Sequence, residues 1–262
     1  MRQLFMIAIL LSSVVLFAGE GEVLFAKKCA SCHTPFIPMS KLKENFLDRN
    51  NTLLKLKAPT LNQLSYRLKQ RIGDPKGDED IHRMEVTAFM SDYVLHPDKQ
   101  KSVCLEEVLR YFDTMPSLQG QVTEDELEAI GDYLYDFDKK VIAQKSVRYE
   151  GFEEALKRAK KEHKIVMIEA MSEDCHFCRK MEREVMIEDD VVKALNDDFI
   201  SVVIDVKKHA LPLGLKAPLT PTFIFVDANG KVLLNIPGAW GKEDFLALLK
   251  EAKEKAKATK KE

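Results

Sequence analysis

No excess of either charge marks this 262-residue sequence: 40 Lys and Arg stand against 42 Asp and Glu, a net charge of −2. The balance holds within each half. Residues 19–140 carry −4 and residues 141–262 carry +1. A basic surface for phosphate backbones is therefore absent, which excludes a strongly electrostatic nucleic-acid binder, and no nucleic-acid partner is expected. Glycine (11) and proline (10) are too sparse for a collagen-like rod, and with 45% hydrophobic residues the chain is too apolar for intrinsic disorder. Long hydrophobic runs are missing beyond the first eighteen residues, so a multi-span membrane protein is excluded. There is no internal repeat and no low-complexity segment apart from a Lys/Glu-rich tail, Lys250 to Glu262, expected as a fraying helix end.

The first eighteen residues set the compartment. Arg2 gives a positive start, Leu4 to Phe17 form an apolar stretch, and Ala18-Gly19 offers small residues for cleavage. That order is the pattern of a secretory signal peptide, and it predicts a protein exported to the periplasm. An uncleaved anchor is the alternative, although fourteen helical residues reach only about 21 Å across a hydrocarbon core of about 30 Å.

Five cysteines remain: Cys29, Cys32, Cys104, Cys175 and Cys178. Four form two Cys-x-x-Cys pairs, one in each half. The halves differ in texture. Residues 19–140 read as helices and long loops, whereas from about Lys164 apolar strand-like runs alternate with helical stretches, the pattern of an α/β domain. A polar, patternless stretch at 141–148 is expected as the linker between domains at 19–140 and 149–262.

Cys29-Ala30-Ser31-Cys32-His33 is the attachment motif for c-type haem. Two thiols at that spacing can form thioethers to both vinyl groups, with the adjacent imidazole beneath the iron. A disulfide or half a zinc site would not need the histidine, and no second Cys-x-x-Cys lies nearby to complete a zinc site. On these residues the first half resembles a class I cytochrome c. Gly21 to Lys28 is similar to that family's first helix, with Phe25 on its packing face. Ala58-Pro59-Thr60-Leu61 is similar to its Gly-Pro-x-Leu stretch. The resemblance implies that the Pro59 carbonyl accepts the second N–H of His33, fixing the ligand's orientation. Two departures stand out: Ala58 replaces the glycine, and 25 residues separate His33 from Pro59. For the sixth iron ligand the resemblance points to Met115, in Met115-Pro116-Ser117 ahead of the last helix; Met84 and Met90 are rivals in helix-like sequence. Thr123 with Glu126 predicts a capping box on that helix, with Leu127, Ile130, Leu134 and Phe137 on its buried face. His82 and His96 are expected as exposed or capping residues, with bis-histidine ligation an alternative, and Cys104 as a buried small hydrophobe rather than a reactive thiol.

In the second half, the apolar run Ile165 to Ala170 leads through a turn to Cys175-His176-Phe177-Cys178 and a helical stretch. Strand, turn, Cys-x-x-Cys and helix put Cys175 at a helix N-terminus, where free N–H groups and the helix dipole stabilise a thiolate. Phe199 to Val206 and Thr222 to Val226 read as further strands, and Asn229-Gly230 as a hairpin turn into Lys231–Ile236. A static bridge over so short a loop would stabilise little, and metal ligands at zinc spacing are missing, so redox activity is the expectation. The region 149–250 resembles the exported thioredoxin-like proteins. Thr220-Pro221-Thr222 is similar to the family's cis-proline loop and Pro237-Gly238-Ala239 to its glycine turn, while Glu169 falls where the family keeps a buried, proton-shuttling acid. Asp174 in place of tryptophan and His-Phe between the cysteines depart from it. An adjacent Asp174 should raise the Cys175 pKa, and His176 and the helix end should lower it.

The expected architecture is thus two domains, an all-α class I cytochrome c fold followed by an α/β thioredoxin-like fold. The expected function is an exported thiol–disulfide oxidoreductase acting at Cys175 and Cys178 with assistance from Glu169 and Pro221, and carrying one covalent haem c on Cys29, Cys32, His33 and Met115 with Pro59 in support. Exported disulfide or dithiol proteins, and a membrane-bound or soluble electron donor or acceptor, are the expected partners. A mono-haem electron carrier or redox sensor, using the thioredoxin-like domain for docking, is the alternative.

Overall fold

The computed structural model describes residues 19–259. The expected signal peptide, 1–18, lies outside the described residues, as do the last three residues of the tail. No helix among the described residues is long and apolar enough to cross a membrane.

The regular elements of the first half are helices joined by long loops. Its framework is α1 (Glu20–Lys28), α3 (Leu61–Arg71), α4 (Glu79–Leu95) and α6 (Glu124–Lys145), with short helices α2 (Met39–Lys43) and α5 (Glu106–Leu109) between them. The last long helix, α6, is the hub, packing against α1, α3 and α4. Its start follows from sequence. Thr123 Oγ1 accepts the Glu126 N–H at 3.2 Å while the Glu126 carboxylate accepts the Thr123 N–H at 3.1 Å, a reciprocal cap. Leu127, Ile130, Leu134 and Phe137 then fall on one side at helical spacing and are buried with Phe25, Leu61, Val86 and Met90. Gly21 makes the α1–α6 crossing possible: a Cβ there would sit 2.0 Å from the Ala129 carbonyl oxygen. A class I cytochrome c arrangement is not established by these helices alone.

Two features differ from the sequence reading. The segment 141–148, read as linker, stays helical to Lys145, because Val141 is buried against the hub's partners; the connection shortens to the residues between Lys145 and the next helix. His82 is not exposed. It is 5% accessible, its Nδ1 accepting from the Tyr135 hydroxyl at 2.9 Å and its Nε2 donating to the Ile72 carbonyl at 3.0 Å. His96 is exposed and pairs with Asp92 at the end of α4.

The second half is an α/β domain: α7 (Phe152–Glu162), β1 (Ile165–Met171), α8 (His176–Glu184), α9 (Asp189–Asp198), β2 (Phe199–Asp205), β3 (Thr222–Val226), β4 (Val232–Pro237) and α10 (Lys242–Thr259). The sheet order is β2-β1-β3-β4, with β1 and β2 parallel and β3 and β4 antiparallel additions. Covered on both faces, β1 and β3 are almost continuously apolar, as a doubly buried strand demands. One face carries Met167, Phe223 and Phe225 toward α8, α9 and α10; the other carries Val166, Ile168 and Ile224 toward α7. The hairpin joining β3 to β4 turns at Gly230, with φ +84°, and the Asp227 carboxylate accepts the Asn229 and Lys231 N–H groups.

Candidate active site

The carboxyl end of β1 positions the second cysteine pair. Beyond Met171 the chain turns, the Cys175 N–H donating to the Ser172 carbonyl at 3.0 Å, and α8 begins at His176. Cys175 is the N-cap, its sulfur accepting the Cys178 N–H at 3.0 Å. The two cysteines are joined by a disulfide. Cys178 is 2% exposed and Cys175 9%, so an incoming thiolate or disulfide meets Cys175 first. Phe177 between them is 57% exposed. Free N–H groups at the start of α8 direct their dipole toward Cys175 and favour its thiolate once the bridge is reduced. The neighbouring Asp174 does not oppose this alone: its carboxylate pairs with Lys207 at 2.5 Å, which holds its pKa below the usual carboxylate value, and Lys76 of the helical region adds positive potential.

Glu169 lies inside β1, between Val203 of β2 and Phe223 of β3, and is 5% exposed. Burial raises its pKa to about 7, the Glu182 charge on α8 raises it further within that value, and a hydrogen bond from the Tyr149 hydroxyl, 3.2 Å away, lowers it. Tyr149 is held by the start of the domain: it bridges to Ser201, and the Glu150 N–H donates to the Ser201 carbonyl at 3.0 Å. Its own pKa is pushed well up by burial and by Glu169. Neither Tyr149 nor Glu182 stood out in the sequence. Glu182 follows Cys178 by four residues, a helical spacing that could have been read as one face; nothing local marks Tyr149.

The Thr220–Pro221 peptide bond is cis. Its place in the sheet is fixed by the pairing of Thr222 with Ala170 on one side and Pro237 on the other, so the loop stands at the same end of β1 as the disulfide. The Pro221 carbonyl accepts the Gly238 N–H at 2.8 Å, and Gly238, with φ +110°, adopts the backbone that only glycine takes readily.

The first cysteine pair lies in the helical region. Cys29 closes α1, and the Cys32 and His33 N–H groups both donate to its carbonyl, winding the motif into a tight turn. All three cysteines of this half are free thiols, Cys32 exposed, Cys29 and Cys104 partly buried. Burial pushes the Cys29 thiol up to about 11, the Cys32 charge adding to it, and burial holds the His33 pKa down. His33 Nδ1 donates to the Pro59 carbonyl at 2.8 Å, across 26 residues, and so keeps Nε2 free of its proton. Leu61 is fully buried, its N–H bonded to the Thr34 carbonyl. Met115 is partly buried on a separate loop that Ser117 and Leu118 tie to the end of α4. Met90 is core, 6% exposed, and Met84 is 64% exposed.

Comparison with known proteins bears on the second half. Residues 152–253 match the model of the thioredoxin-like domain family. A protein of Aquifex aeolicus (strain VF5), itself uncharacterised, is 26% identical over 117 residues, covering 44% of this chain and 72% of its own. Among solved structures, a thioredoxin from Thermus thermophilus is 28% identical with a TM-score of 0.39, covering 44% of this chain and 92% of its own. The oxidoreductase DsbH is 21% identical with a TM-score of 0.34, covering 41% and 84%. The chain thus carries a thioredoxin-like α/β domain over residues 152–253, with a disulfide at its Cys-x-x-Cys motif.

Proposed function

We propose that this chain is an exported thiol–disulfide oxidoreductase that also carries one covalent haem c. The observation that carries the first part is the disulfide at the N-terminus of α8, its more accessible sulfur on Cys175 and the buried acid Glu169 on the adjoining strand. In the reductive direction the Cys175 thiolate attacks one sulfur of a partner disulfide. A Cys175–partner bond forms, the partner's S–S bond breaks, and its other sulfur leaves as a thiolate that takes a proton from water. Cys178 then gives its proton to the Glu169 carboxylate and attacks Cys175, forming the intramolecular disulfide and expelling the second partner thiolate. A carboxyl with a pKa of about 7 can both accept and release that proton near neutrality. The backbone beside Pro221 offers the partner's chain an edge to pair with.

The donor set of the helical region fits a c-type haem. Cys29 and Cys32 are free thiols one helical turn apart, and the His33–Pro59 hydrogen bond leaves Nε2 as a lone-pair donor with a fixed ring orientation. Cys29, Ala30, Phe36, Leu64 and Val103 are partly buried against the core of the helical region, so the motif stands at the edge of an apolar cluster. Met115 would supply the second protein ligand, a thioether sulfur. When bound, the group supplies one-electron transfer; its ligands' role is to hold it and, through a thioether sulfur, to raise its potential.

Reduction of insulin disulfides by wild type and by Cys175→Ser tests the thiol chemistry. Loss of at least a hundredfold in rate is expected for the variant. Equal rates would instead favour an electron carrier whose thioredoxin-like domain only docks. Acid–acetone extraction tests the haem: it should stay with wild type and be absent from Cys29→Ala/Cys32→Ala, and free extraction from wild type would overturn covalent attachment.

A further inference from the structure

The stretch of 25 residues between His33 and Pro59 leads to an interface that neither redox motif explains. We infer that its first part, the α2 segment from Pro38 to Lys43, is an interdomain latch that locks the helical region onto the distal end of α8, making the two cysteine pairs parts of one rigid body rather than of two tethered domains. The inference stands independently of the proposed activity.

Three observations carry it. Glu188, at the start of α9, is 4% exposed, yet its carboxylate reaches across to the helical region and accepts both the Ser40 N–H at 3.1 Å and the Ser40 hydroxyl at 2.9 Å. It thereby caps α2, satisfying an N–H that α2 cannot bond internally. If the domains parted, this carboxylate would lose both Ser40 hydrogen bonds and keep Lys242, at 3.7 Å, as its partner of opposite charge. Second, the Arg183 guanidinium of α8 stacks on the Tyr66 ring of α3 at 3.3 Å from its centroid, and Lys43 pairs with Glu184 at 2.9 Å. Third, Ile187, 4% exposed, belongs to the hydrophobic core of the helical region although it lies in the thioredoxin-like domain. These contacts fall at residues 183–188, at and beyond the end of α8. At its beginning, His176 and Phe177 stay exposed. The latch therefore grips the dithiol helix from behind and leaves the Cys175 end open to an external partner.

The test uses the full chain as isolated from exporting cells. Trp240, the single tryptophan, reports on α8, because its backbone N–H donates to the Met181 sulfur at 3.1 Å. Thermal unfolding followed by Trp240 fluorescence and by far-UV circular dichroism should give one coincident midpoint in wild type. Ser40→Asp sets a carboxylate against Glu188, and Lys43→Glu reverses a half-exposed pair. In both, the two midpoints should separate, and trypsin cleavage between Lys145 and Arg148 should accelerate at least tenfold, with the native Trp240 emission spectrum unchanged. Should Ser40→Asp fail to fold, Lys43→Glu decides. Separate midpoints in wild type, or variants with coincident midpoints and unchanged cleavage, would overturn the latch.

Discussion

Glu169 shows how one buried side chain ties stability to chemistry. Its pKa is raised in the folded chain, to about 7 from an ordinary 4.5, so the native state holds a proton that the unfolded chain has released. The sign follows: stability is undiminished below about pH 4.5, falls as pH rises toward 7, and is constant above that. A shift of this size corresponds to roughly 3 kcal/mol lost across the window. Glu169→Gln should abolish that slope and leave the protein more stable than wild type at pH 8 in urea titrations. A wild-type stability that rises between pH 5 and 7 through this residue would contradict the assignment. The same substitution should slow the resolution of the mixed disulfide, read as accumulated adduct on Cys175. Met115 permits a second residue-scale prediction: the oxidised haem protein should show the near-infrared sulfur-to-iron charge-transfer band, lost in Met115→Ala and kept in Met84→Ala and Met90→Ala. Its persistence in Met115→Ala would move the ligand elsewhere.

At the scale of elements, much was legible because the determining residues are close in sequence. Thr123 and Glu126 mark the start of α6 three residues apart, and the short apolar run Ile165 to Ala170 reads as a buried strand and is one. Cys175 reads as an N-cap from the turn before it and the helical stretch after it. The His33–Pro59 bond was legible through resemblance, on motif residues rather than on pattern. What stayed hidden depends on partners far along the chain. His82 is buried because Tyr135, 53 residues on, meets its ring; Glu169 is tuned by Tyr149 from an irregular segment; and α6 runs on through 141–145 because Val141 meets the core. Gly21 offers an element-scale test of the helical packing. Gly21→Ala would drive a methyl into the Ala129 carbonyl, and such overpacking costs about 1–3 kcal/mol. A lowered thermal midpoint by circular dichroism is expected; an unchanged one would mean that α1 is not seated on α6 as described.

At the scale of the whole molecule, two Cys-x-x-Cys motifs of different surroundings share one chain. On the proposed function, the dithiol would yield two electrons and a single haem would take one, so direct transfer between them would need a one-electron sulfur intermediate and should be slow or depend on an external partner. Anaerobic haem reduction after the dithiol is pre-reduced should be no more than severalfold faster in wild type than in Cys175→Ser/Cys178→Ser. On the proposed function, Cys175 and Cys178 would form the exchangeable couple, whereas Cys29 and Cys32 would be taken up in thioether bonds. Peptide-mapped alkylation, after equilibrating the protein in a series of glutathione redox buffers, distinguishes the two pairs. Cys175 and Cys178 should become alkylated together along a two-electron titration, and Cys29 and Cys32 should stay unmodified in every buffer. Cys175 and Cys178 inert across the series, or Cys29 and Cys32 freely alkylated, would contradict the proposed function.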